Sequence, residues 1–183
     1  LTHVIAHRGP DGQGCWIHQQ NFLGLGHRRL SILDLSEQGA QPMQYADGRL
    51  TLIFNGEIFN FAELREELKQ KGYSFHSDSD TEVLLAAYHC WGKDCLQRFN
   101  GFWAFALWDE QTKELWLARD RFGIKPLYYL YQPGEQLVFA SETHQFKHVE
   151  GYQREAEASH LSYLLQNPWG LEGLGKTIFK QIE

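Results

Sequence analysis

The spacing of apolar positions changes character along the chain. Leu50-Thr51-Leu52-Ile53-Phe54 is an apolar run of strand length, and a polar stretch from Asn55 to Asn60 follows it. Phe61, Leu64 and Leu68 then recur at i, i+3 and i+7, which predicts a helix with Asn60 as its N-cap and Gly72 at its C-terminal end. Residues 73–76 read as a strand. Ser77-Asp78-Ser79-Asp80-Thr81-Glu82 carries capping residues ahead of a second helix over 83–91, closed by Gly92. The expectation is two strand, polar-turn, helix units in succession.

On the N-terminal side, the Gly- and Pro-rich stretch 7–14 predicts a loop, 16–18 and 22–25 short strands, 26–34 an extended segment and 36–42 another loop. From Phe102 onward the period is two: strands are expected over 103–108, 115–118, 127–131 and 137–140, joined as antiparallel hairpins. A helix over 155–166 should break before Pro168, and 176–182 reads as a last strand. This order is not the strict alternation of a parallel doubly wound sheet; two antiparallel sheets covered by helices fit it, an α+β arrangement.

The stretch with most chemical content is Asn55-Gly56. A strand ending in Asn-Gly and feeding a helix sets a side-chain amide beside an unhindered backbone N–H, the donors of an oxyanion hole. Asn-Gly is also a common turn signal. Arg29 and Asp80 extend the first reading: an Arg holds a carboxylate through two parallel hydrogen bonds, and an Asp holds an ammonium, so the pair could grip the two charged ends of a free amino acid. Each taken singly has a surface ion pair or a helix cap as an alternative, and the spacing alone leaves the function open.

Composition narrows the classes. The 183 residues are 43% hydrophobic, enough for one domain with a proper core, and the formal charge of -6 speaks against nucleic-acid or anionic-membrane partners. No apolar run approaches the roughly 18 residues of a membrane span. The N-terminal segment Leu1-Thr2-His3-Val4-Ile5-Ala6 lacks the features of a signal peptide and reads as a chain entered partway through. Three cysteines, Cys15, Cys90 and Cys95, without CxxC spacing suit a reducing, cytoplasmic setting.

Two patterns are set aside. Gly170-Leu171-Glu172-Gly173-Leu174-Gly175-Lys176-Thr177 has the spacing of a phosphate-binding loop, but that mechanism needs a strand before it and a helix after it, and neither is expected. The pairs His3/His7 and His144/His148 stand at i and i+4 without the acidic residue that would complete a metal frame, so no metal is expected. The aromatic series Phe99, Phe102, Trp103, Phe105, Trp108 reads as core.

Six motifs occur in series: His7-Arg8-Gly9-Pro10-Asp11, Arg29-Leu30-Ser31-Ile32-Leu33-Asp34, Gly39-Ala40-Gln41-Pro42, Asn55-Gly56-Glu57-Ile58-Phe59-Asn60, Ser79-Asp80-Thr81-Glu82 and Arg119-Asp120-Arg121-Phe122-Gly123-Ile124-Lys125-Pro126-Leu127. Together they resemble the class II glutamine amidotransferase domain of glutamine-hydrolysing asparagine synthetases, over essentially the whole chain. The resemblance implies an N-terminal-nucleophile hydrolase fold, a four-layer αββα sandwich of two antiparallel sheets between helices. It also implies that Arg29, the backbone of Leu30, Ser31, Ile32 and Leu33, and Asn55, Gly56, Glu57 and Asp80 hold glutamine, with Asn55 and Gly56 as the oxyanion hole.

In that family the nucleophile is a Cys at the mature N-terminus, with its own α-amine as base. Leu1 is not that residue, and Cys15 lies within the chain, so the expectation is residues 1–183 of an amidotransferase domain lacking its nucleophile segment, with 176–183 leading toward a synthetase domain. The domain itself would need no cofactor; ATP and Mg2+ belong to the synthetase domain. Expected partners are L-glutamine and that domain, with a homodimer left open. Two alternatives stand beside this reading: a silent glutamine-binding or scaffold module, and an amidotransferase with another ammonia acceptor.

Overall fold

The computed structural model describes residues 1–30, 39–167 and 175–183. The chain forms two compact units, Thr2–Lys125 and Pro126–Glu183, the latter with Leu1. In the larger unit β1 (Gly12–Ile17) pairs antiparallel with β2 (Gly24–Arg29). A second antiparallel sheet has the order β3 (Met43–Tyr45), β4 (Leu50–Ile58), β5 (Gly101–Asp109), β6 (Glu114–Arg119). Helices α1 (Phe61–Gln70) and α2 (Asp80–Trp91) lie between β4 and β5 in the chain.

Alternation decides what each sheet face meets. Leu50, Leu52, Phe54 and Ile58 of β4, with Trp103, Phe105 and Leu107 of β5, form one core with Leu64 and Leu68 of α1 and the apolar residues of α2. The opposite face of β5 is buried too, Trp108 lying under the rings of His18 and Phe22 at 5.8 and 5.5 Å. A strand covered on both faces reads as a continuous apolar run, as β5 does.

Several boundaries differ from the expectation. β1 takes in Gly12 and Gly14, which were expected in a loop; a Cβ on Gly14 would stand 2.0 Å from the Gln41 carbonyl oxygen, so the glycine permits a close chain crossing. Asn60 does precede α1, but its side chain does not cap it. Its amide instead donates to the Arg98 carbonyl at 3.0 Å and accepts from the Asn100 N–H at 2.9 Å, tying α1 to the entry of β5. Residues 73–76 form no strand, so only one strand, turn, helix unit exists here.

Side chains rather than a neighbouring strand hold that segment. Phe75 lies 4.9 Å beneath the Arg65 guanidinium, and the buried Glu82 carboxylate accepts from the N–H groups of His76 and Ser77 and from the Ser77 hydroxyl. Truncation by Glu82→Ala leaves these donors without an acceptor, each costing about 1–3 kcal/mol if it stays buried. A net loss of about 3 kcal/mol is expected in chemical denaturation, with faster hydrogen exchange at His76 and Ser77.

The expected hairpins are present as β5–β6 and as β7 (Tyr128–Gln132) with β8 (Gln136–Ala140) in the smaller unit. That unit has its own core of Leu130, Ala140, Phe146 and Ile182, and α3 (Ala158–Gln166) starts three residues later than expected, after the cap Glu157. The tail is not a strand. It makes one bridge, Ala156 to Phe179, while the Thr177 hydroxyl turns back on the carbonyls of Phe179 and Ile182. Lys176 and Thr177 are thus engaged in a turn and an ion pair with Glu183, and Pro168 and positions 170–174 of the phosphate-loop lookalike lie outside the described residues. Among the described residues no helix is long and apolar enough to cross a membrane, and no group of three or more His, Cys, Asp or Glu side chains is brought together.

Candidate active site

Asn55 and Gly56 lie inside β4, paired with Ala104 and Trp103 of β5, and not in a turn beyond its end as the sequence suggested. Sheet packing explains the glycine. A Cβ at 56 would stand 2.3 Å from the Phe102 carbonyl oxygen and 2.7 Å from the Trp103 Cα, so any side chain pushes β4 from β5. The Asn55 side chain is half-buried and, with Glu57, projects from the sheet face opposite α1 and α2.

In an antiparallel ladder, successive residues direct their peptide N–H and C=O to opposite edges. The peptide groups of Phe54, Gly56 and Ile58 therefore point to the edge away from β5. β3 reaches only as far as Leu52, and beyond it side chains take the place of a strand. Gln41 Oε1 accepts the Phe54 N–H at 2.6 Å, His27 Nε2 meets the Phe54 carbonyl at 3.2 Å, and Asp80 Oδ2 accepts the Ile58 N–H at 3.0 Å. Among the described residues, neither the Gly56 N–H nor the Asn55 amide is engaged by any side chain or loop. Two donors thus flank one rim of β4, framed by groups already bound.

Asp80 opens α2, where the Ser79 hydroxyl accepts the Thr81 N–H at 3.1 Å. Burial pushes its carboxyl up to about 6, with the Glu57 charge adding to the rise, although the N–H of Ile58 and of Thr81 work against it. Such a carboxylate gains from a cation that shares its burial. On β2, His27 and Arg29 are two apart and so project from one face of the hairpin, while Arg28 on the other face donates to Gln13 at 2.9 Å. Since His27 meets β4, Arg29 is directed toward the same side. Burial depresses His27 to about 4, against the Phe54 carbonyl and with help from Arg29, so the imidazole is neutral and its proton sits on Nε2.

The structure brings the strand of Arg29, the strand of Asn55, Gly56 and Glu57, and the helix of Asp80 to one rim. Leu30 is exposed at the end of β2, and Ser31, Ile32 and Leu33 lie outside the described residues. Cys15 is exposed in the middle of β1, its amide within the chain, so it has no terminal amine to serve it as a base. The arrangement can neutralise an amino acid's α-ammonium at Asp80, its α-carboxylate at Arg29, and a developing oxyanion at Asn55 and Gly56.

A family model described as the glutamine amidotransferase domain matches residues 1–183. The chain belongs to the glutamine amidotransferase family. This amidotransferase domain is 49% identical over 142 residues to "Asparagine synthetase [glutamine-hydrolyzing] 1" of Bacillus subtilis (strain 168), covering 78% of this chain and 22% of that protein. It is 41% identical over 135 residues to "Amidase chry2" of Gibberella zeae, covering 74% of this chain and 20% of that protein. The chain therefore spans about a fifth of the length of these relatives. Among solved structures, glutamine phosphoribosylpyrophosphate amidotransferase from B. subtilis superposes with a TM-score of 0.68 at 27% identity, covering 85% of this chain and 41% of that one. The mixed α+β architecture of antiparallel sheets in the amidotransferase domain is thus that of an N-terminal-nucleophile hydrolase.

His27 and Gln41, which bind the C=O and the N–H of Phe54 on the open edge of β4, were given no role from the sequence, although Gln41 stands in the motif Gly39-Ala40-Gln41-Pro42. His27 was one of nine histidines without a distinguishing pattern, and Gln41 sat in a loop, where no periodicity marks which side chain turns inward.

Proposed function

We propose that this amidotransferase domain hydrolyses L-glutamine to glutamate and ammonia. The observation that carries the reading is the β4 rim, where the Asn55 amide and Gly56 N–H, with no side-chain partner among the described residues, stand beside the buried Asp80 carboxyl. In this reading Asp80 and Glu57 hold the α-ammonium, Arg29 and the backbone from Leu30 to Leu33 hold the α-carboxylate, and the side-chain carbonyl of glutamine meets Asn55 and Gly56. A cysteine thiolate at the mature N-terminus of the parent protein, as the class II resemblance implies, attacks that carbonyl. The oxyanion collapses as the proton that the α-amine took from the thiol passes to the amide nitrogen, ammonia leaves, and water cleaves the thioester to glutamate and the free thiol.

In the parent protein the ammonia passes to a synthetase domain that uses ATP and Mg2+ to amidate aspartate, in the cytoplasm. The test supplies amide-15N glutamine, aspartate and Mg·ATP to the full-length protein: 15N-asparagine and an equal amount of glutamate are expected, and glutamate without labelled asparagine overturns the acceptor. A second acceptor is favoured by one observation, the 41% identity to a protein named an amidase. In that case label enters another amide while glutamate release is unchanged.

A further inference from the structure

Past the end of β3, the edge of β4 has no strand partner among the described residues, yet both the N–H and the C=O that Phe54 turns to that edge are held. Its N–H goes to Gln41 Oε1 at 2.6 Å and its C=O receives His27 Nε2 at 3.2 Å. Gln41 is anchored in turn by its Nε2, which donates to the Thr81 hydroxyl at 3.3 Å. Thr81 is buried in the first turn of α2, directly after Asp80, and Asp80 holds the Ile58 N–H at the far end of the same edge. Phe54 and Ile58 are therefore pinned, and among the described residues the Gly56 N–H, midway between them on that edge, is the group left to face a ligand.

We propose that Gln41 and His27 are positioning residues: on the open edge of β4 they hold the N–H and the C=O of Phe54, the two peptide groups that flank it, and so aim the Asn55 amide and the Gly56 N–H at a developing oxyanion. This role rests on the glutaminase reading. Both bonds take the place of a neighbouring strand, and each has a fixed sense. Only the carbonyl oxygen of Gln41 can accept an N–H, and only a protonated Nε2 can serve a carbonyl, which the neutral, buried imidazole supplies. The anchor to Thr81 couples the clamp to the helix start that carries Asp80, so donors and ammonium site are set by one network.

Displacement of a preorganised donor by a fraction of an ångström lowers turnover more than ground-state binding. In the full-length protein, Gln41→Met and His27→Phe are expected to lower kcat for glutamine hydrolysis roughly 10- to 100-fold while the glutamine Kd moves by less than about threefold. Gln41→Glu keeps an acceptor for the Phe54 N–H, and His27→Gln keeps a donor near the Nε2 position, so both should recover to within about fivefold of wild type. Equal losses in kcat and binding, or conservative variants no better than the truncations, overturn the clamp. Should either truncation fail to fold, the other position is read by the same criteria.

The 15N and 1H shifts of the Gly56 amide give a readout independent of chemistry. They should move in Gln41→Met and His27→Phe and return in Gln41→Glu and His27→Gln, and an unmoved Gly56 overturns the proposal. A wild-type protein that binds no glutamine and releases no glutamate defeats the glutaminase reading, whereas active wild type with unaffected variants defeats the clamp alone.

Discussion

Gly56→Ala is expected to lower both the stability of the larger unit and the hydrolysis of glutamine, because one methyl group meets two constraints. The added Cβ would stand 2.3 Å from the Phe102 carbonyl oxygen, 2.7 Å from the Trp103 Cα and 3.0 Å from the Trp103 Cβ. The nearest of these are backbone atoms and cannot rotate aside, so β4 and β5 must separate beside the buried Trp103. Overpacking of this kind costs about 1–3 kcal/mol. The same separation shifts the residue 56 N–H, and a displacement near 1 Å at a reacting centre costs about 100-fold in rate. Denaturant unfolding and steady-state kinetics on the full-length protein check both parts. An alanine variant of unchanged stability would show that the sheet relaxes freely there, and full activity would remove the Gly56 N–H from the oxyanion site.

Asp80→Asn is expected to stabilise the free protein and to weaken glutamine binding, and pH should do the same through the wild-type residue. With its pKa raised from 3.8 to about 6 by burial, the folded protein binds this proton more tightly than the unfolded chain does. Its contribution to stability is therefore complete below about pH 4 and is lost as pH rises through about 6, a difference of about 3 kcal/mol. Asparagine can still accept the Ile58 N–H, so the variant should melt several degrees higher than wild type at pH 7. Binding has the opposite sign. Only the ionised carboxylate pairs with an ammonium, so glutamine affinity should fall about tenfold from pH 7 to pH 5. In Asp80→Asn that dependence should vanish and affinity at pH 7 should drop by about 2–5 kcal/mol. A pH-independent wild-type Kd would remove Asp80 from the ammonium site.

Sequence pattern made the larger elements legible and missed what depends on contacts between distant segments. The α1 stripe of Phe61, Leu64 and Leu68, the end of α2 at Gly92 and the β5–β6 hairpin follow from local periodicity and capping, and the structure bears them out, whereas α2 starts at Asp80, three residues before the expected 83, because Ser79 within the polar run is its cap. Residues 73–76 have strand composition but no edge to join; the Glu82 carboxylate, several residues ahead, holds them instead. Asn60 has the chemistry of a cap, yet Arg98 and Asn100 claim its amide across the sheet. Asn55-Gly56 looked like punctuation because glycine usually marks a turn, whereas here it answers to the carbonyl of Phe102 on the next strand. The side chains of the rim could be named from sequence by residue type. That Asp80 reaches the Ile58 N–H, and that the Phe54 peptide is held by His27 and Gln41, depends on how β2, β4 and α2 meet.

The central claim is that Asn55 and Gly56 stabilise charge that develops during hydrolysis of glutamine and do not merely hold the substrate. Asn55→Ala in the full-length protein measures this most directly, with kcat from glutamate release at saturating glutamine and Kd from calorimetry. A donor used only in the transition state predicts a fall in kcat of about 100-fold, near 3 kcal/mol, with Kd within about threefold of wild type. A Kd weakened as much as the rate, or a kcat left unchanged, would contradict it.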